Sequence, residues 1–231
     1  MSLALLIIFM LVAYGLTTLF RRWIDIPTLI AVAIGCAVNA NIFNPLTNAS
    51  ASAQVGDLVF SIEIVLYTLF MYTLVVRILD YGYKEAKRMT FTSVAAIIIS
   101  AIIELVAYLM ASGFKAETFK NFSYYLFSVV GTIVGAWLMV WITIQCRKKN
   151  ISPYLIIPFA IIASSLVHAV IYYGGISLME WNFESYSLYS AIGTMIGKVI
   201  CVLLSILCYF INKTIWQPLN LVEKEENNKD N

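Results

Sequence analysis

Seven apolar stretches, each long enough to cross a lipid bilayer, leave this 231-residue chain few ways to fold. A crossing helix needs roughly 20 mostly apolar residues to span the hydrocarbon core. The runs that qualify are 2–20, 28–46, 57–79, 89–111, 122–146, 153–177 and 189–211. A closed barrel is the other spanning solution, and it would show short segments of alternating polarity. Stretches such as Ala95 to Ile103 are instead apolar on every face, as buried or lipid-facing helices are. A mean hydropathy of +0.85 with only 12% charged residues excludes an ordinary soluble domain. The expectation is an all-α, polytopic membrane helix bundle. One transmembrane domain covers 1–215, and a short polar tail follows at 216–231.

The distribution of Lys and Arg sets the expected topology, because cytoplasmic connections are enriched in them. Arg21 and Arg22 follow the first span, and Arg77, Lys84, Lys87 and Arg88 surround the third connection. Arg147, Lys148 and Lys149 follow the fifth span, and Lys213, Lys224 and Lys229 lie after the seventh. The opposite side holds only Lys115 and Lys120. An N-outside, C-inside chain with seven helices accounts for this asymmetry. The first span lacks a basic leading region and is followed by two arginines, so it reads as an anchor rather than a signal peptide. The net charge of +2 sits mostly in inner-face connections and does not imply nucleic acid.

Ionisable side chains inside a span cost roughly 2.5–3.5 kcal/mol each to insert, so each is a functional candidate. Glu63, Glu104, His168 and Lys198 are such residues. In the expected topology, Glu63 lies about two turns into the third span from its outer end. Glu104 and His168 lie past the midpoints of outward-running spans, and Lys198 lies slightly outward of the middle of the seventh. Asn39 and Asn41 join this outer layer, and Ser164 and Ser165 lie near its floor. Tyr108, Tyr124, Tyr125, Tyr172 and Tyr173 frame it, as an interfacial belt or as a stacking wall for a flat polar ring.

The remaining features read as packing. Trp137 and Trp141, one turn apart in the fifth span, are expected to pack against neighbours. Cys36, Cys146, Cys201 and Cys208 have no metal-ligand spacing and read as apolar fillers. Gly131-x-x-x-Gly135, Gly193-x-x-x-Gly197 and Ala33-x-x-x-Ala37 are small-residue pairs that let helix backbones approach. There is one His, no phosphate-binding Gly-rich loop and no nucleophile motif, so no enzyme, metal or cofactor is expected.

Tyr81-Gly82-Tyr83-Lys84-Glu85-Ala86-Lys87-Arg88, after the third span, is similar to the Tyr-Gly-x-x-x-Ala-[Lys/Arg]-Arg loop of the vitamin uptake, or queuosine-precursor, transporters. Asn39-Ala-Asn41-Ile resembles the Asn-rich end of that family's first helix. Ser164-Ser165-Leu166-Val167-His168 resembles its Ser-rich penultimate helix, and Lys198-Val199 resembles its Lys-Val. The resemblance covers about 28–215 and implies uptake of a purine-like heterocycle, such as a 7-deazaguanine, by a six-helix bundle. The chain departs from the family in three aspartates, whose places are taken by Val75, a residue near Leu138, and His168. The first span is an extra helix.

The leading expectation is an uptake protein for a small polar heterocycle in a bacterial plasma membrane. Its site is Asn39, Asn41, Glu63, Glu104, His168 and Lys198, walled by Tyr108 and Tyr172. A first rival is a substrate-binding subunit that docks onto a separate energising module through its small-residue faces; a homo-oligomer is the other expected partner. A second rival is a non-transport scaffold whose polar groups pair only with one another.

Overall fold

The computed structural model describes residues 3–20, 52–55, 58–112, 116–180 and 185–216. Helix α1 spans Leu3–Phe20 and is followed by an antiparallel hairpin of β1, Ser52–Val55, and β2, Leu58–Ser61, in which Ser52 pairs with Ser61. Helices α2, Ile62–Tyr81, α3, Tyr83–Ser112, α4, Ala116–Lys148, α5, Pro153–Glu180, and α6, Ser185–Ile211, complete the bundle, and a π-helical turn closes it at Asn212–Trp216. The expected second span, 28–46, lies outside the described residues.

Among the described residues, four helices carry apolar stretches long enough to cross a membrane: Ile64–Tyr81, Leu126–Lys148, Pro153–Met179 and Ala191–Thr214. The apolar parts described in α1 and α3 are shorter, Ala4–Thr18 and Thr90–Ser100. The third expected span is corrected at its start. Residues 58–61 pair as a strand, and the helix begins only at Ile62. Glu63 is therefore the second residue of α2, not two turns inside it.

Polarity is distributed as lipid solvent requires. On α5, Leu155, Phe159, Leu166, Val170 and Leu178 are exposed, while Ser164, Ser165 and His168 are buried. On α6, Ile196, Val199, Leu203 and Leu207 face outward, while Lys198 and Ser205 are buried. Polar groups turned inward are kept out of hydrocarbon, and aliphatic groups turned outward lose nothing there. Trp137 and Trp141 follow the same rule. They are 62% and 60% exposed on the outer face of α4, not packed inside as expected.

Helix α2 is the pillar of the bundle. Every side chain from Ile64 to Val76 is buried, and the helix touches α1, α3, α4, α5 and α6. A helix apolar on all faces is stable only when surrounded, and this one is.

Two connections fix how the helices return. Gly82 adopts φ +82°, the left-handed region open to glycine, and its N–H donates to the Ile78 carbonyl at 3.0 Å. Chain direction thus changes at a single residue, and Tyr83–Arg88, expected in a loop, is the first turn and a half of α3. Between α4 and α5, Asn150 takes φ 53°. Its N–H bonds to the Arg147 carbonyl at 3.0 Å, and the Ile151 N–H bonds to the Cys146 carbonyl at 3.1 Å. These are the paired bonds of a Schellman ending, and Pro153 then occupies the first turn of α5, where no N–H is needed.

Contacts fix the relative directions. Met10 meets Cys201 and Tyr14 meets Ser205, so α1 and α6 run parallel. Tyr67 meets Lys198 and Tyr72 meets Asn212, so α2 runs parallel to both. Gly131 lies against His168 and Gly135 against Ser164, which makes α4 and α5 antiparallel.

Candidate binding site

The site begins with a glycine step. A Cβ added at Gly131 would lie 3.2 Å from the His168 carbonyl oxygen, and one added at Gly135 would lie 3.1 Å from that of Ser164. Both pairs are four residues apart, so the bare edge of α4 receives one turn of α5. Small residues are what allow two backbones to approach so closely. The Gly131 and Gly135 faces are thus occupied within the chain and cannot form the docking surface expected of them; Ala33 and Ala37 lie outside the described residues.

This contact places His168 against α2 and α6. The Lys198 Nζ lies 3.3 Å from His168 Nδ1 and 4.2 Å from the centroid of the Tyr67 ring. The Tyr67 and His168 rings are 4.6 Å apart, and His168 stacks on Tyr172 at 6.0 Å with 16° between planes. Tyr172 in turn meets Tyr173 edge-on at 5.0 Å, and the Tyr173 hydroxyl bonds Thr194 Oγ1 at 2.9 Å. Below the ladder, the Tyr67 hydroxyl donates to the Ser164 carbonyl at 3.1 Å and lies 3.1 Å from Ser164 Oγ. The result is a column of aromatic faces beside a buried amine.

Lys198 is 2% exposed and His168 5%, so water does not carry their polarity. A cation over an aromatic face in such surroundings gains on the order of 2 kcal/mol, which offsets part of the cost of burying an amine. Two polar atoms on the same side of α5 nevertheless have no hydrogen-bond partner among the described residues: His168 Nε2 and, three residues earlier, Ser165 Oγ. Residues at that spacing are neighbours on one helix face.

His168, Lys198 and Tyr172 are therefore brought together. Asn39 and Asn41 lie outside the described residues, as do the side chains of Glu63, Glu104 and Tyr108. Tyr67 was not anticipated. Its one sequence signal is a hydroxyl in a helix apolar on all sides, which has to find a partner inside the protein. No group of three or more His, Cys, Asp or Glu suited to a metal ion occurs among the described residues.

Comparison with family models, curated proteins and solved structures gives no match.

Proposed function

We propose that this chain is a membrane uptake protein that binds a small polar heterocycle between α2, α5 and α6. The supporting observation is the unpartnered His168 Nε2, set in an aromatic column beside Lys198. A scaffold gains nothing from leaving a buried polar atom without a bond, at a cost of about 1–3 kcal/mol. A binding site does, because the ligand supplies the missing bond and the rings supply a stacking surface. The family resemblance at Ser164–His168 and Lys198-Val199 agrees with this reading, and its substrate class, a queuosine precursor or vitamin-like ring, belongs to the same proposal.

The proposed topology is seven spans, N-outside and C-inside, in a bacterial cell membrane. Helices α1 and α2 run parallel, and 28–46, between them in sequence, has the length and polarity of a span. Arg147 and Lys213 gather at one end, with Arg147 on the Ile78 carbonyl and Lys213 over the Tyr209 ring. That end is cytoplasmic in this proposal.

Thermal unfolding of the purified protein against deazapurines, purines, pterins and water-soluble vitamins tests the reading. A ligand at a hundred times its dissociation constant adds about 2.7 kcal/mol to stability. A selective shift that disappears in Lys198→Ala, with uptake lost in the same variant while it still reaches the membrane, is the expected result. Wild-type uptake by Lys198→Ala would remove the site.

A further inference from the structure

We infer that the ligand of this site is a planar ring that presents an exocyclic oxygen, carbonyl or carboxylate, to His168 Nε2, and not a ring whose recognition edge is an amine. The inference rests on the uptake reading above and names its substrate class.

A lysine ammonium has three donors and no acceptor. Lys198 Nζ lies 3.3 Å from His168 Nδ1 and sits over the Tyr67 ring, where a cation is favoured. With Lys198 as the ammonium, His168 Nδ1 is the acceptor, which makes the imidazole neutral and leaves its proton on Nε2. Nε2–H is thus a donor, it is buried, and it has no partner among the described residues. Ser165 Oγ, also buried and unpartnered, is one turn away on the same helix and has a second proton to give.

An amine edge would set N–H against N–H and leave both groups unsatisfied. A carbonyl or carboxylate oxygen offers two lone pairs and can accept from both. Because Nε2–H lies in the imidazole plane, that oxygen would sit at the ring edge of His168, whose plane lies 16° from that of Tyr172. Shape alone would admit either kind of ring. The tautomer set by Lys198 discriminates between them, because a polar site rejects an analogue that leaves its buried groups unpaired.

His168 is the only histidine in the chain, so ¹⁵N-histidine labelling reports on this ring alone. The full-length protein in detergent should give a neutral Nε2–H spectrum. A neutral Nδ1–H tautomer would overturn the inference whether or not any ligand binds. The second arm uses ring pairs that differ only at one edge: hypoxanthine against adenine, guanine against 2,6-diaminopurine, and nicotinate against 3-aminomethylpyridine. An oxygen-bearing member should raise the melting temperature and shift the His168 Nε2 resonance, and its amine counterpart should bind at least about tenfold more weakly.

His168→Gln, which keeps an N–H near the position of Nε2, should retain that preference, and His168→Leu should lose it. Amine members binding as well as or better than their partners would overturn the inference and leave the uptake reading in place. No shift from any ring in this set or the wider panel would remove both. Discrimination unchanged in a folded His168→Leu would also overturn the inference.

Discussion

Two adjacent glycines in α5 separate close packing from open space. A Cβ at Gly175 would meet the Phe127 ring of α4 at 2.5 Å, whereas one at Gly174 would meet nothing within 4 Å. Gly175→Ala should therefore force Phe127 to move and destabilise the protein by about 1–3 kcal/mol. Gly174→Ala should leave stability unchanged or raise it by up to about 1 kcal/mol, the difference in helix propensity. Thermal melts of the two variants in one detergent decide this, and equal melting temperatures would count against the packing described. Gly135→Ala belongs with the first case, because the added methyl would displace the Tyr67 hydroxyl from its bonds to Ser164. It should lower stability and also weaken ligand binding, whereas Gly175→Ala should spare binding.

The turn between α4 and α5 shows how an element's end is held. Asn150 occupies the left-handed region, which glycine adopts freely and β-branched residues resist. Asn150→Gly should be nearly neutral and Asn150→Val should cost about 1–2 kcal/mol, read as a difference in melting temperature. Just before it, Arg147 Nη1 donates to the Ile78 carbonyl at 2.6 Å, placing a cation at the C-terminus of α2. Arg147→Met should lose about 1 kcal/mol and loosen the end of the central helix, with faster hydrogen exchange at the last turn of α2 as the readout. This turn was legible in the sequence, since Asn150-Ile-Ser-Pro153 follows the basic run that ends the fifth span. The start of α2 was not. Hydropathy gives Leu58–Ser61 and the helix after it the same sign, and only strand pairing with Ser52–Val55 separates them.

At the scale of the whole molecule, the candidate site was legible in part for one physical reason. A charge or an imidazole in a membrane helix is costly enough to stand out from sequence alone, which is how His168 and Lys198 were found. Tyr67 was hidden because tyrosines are ordinary in apolar helices, and its meaning comes from α5 and α6, distant in sequence, meeting α2. Direction carries the same lesson into topology. Parallel α1, α2 and α6 place the ends near Phe20, Tyr81 and Ile211 on one side, together with the α4–α5 turn at Asn150. In the seven-span proposal that side is cytoplasmic, and the ends of α3 and α5 at Ser112 and Glu180 are outside. Single cysteines placed in a background with the four natural cysteines replaced by Ala or Ser test this directly. Cysteines substituted at Lys149 and Lys213 should resist an impermeant maleimide in intact cells and react after permeabilisation. One substituted at Glu180 should react in both. Labelling of Lys149→Cys in intact cells would invert the orientation. Opposite behaviour of the Lys149 and Lys213 positions would break the shared end on which the bundle's parallel helices depend.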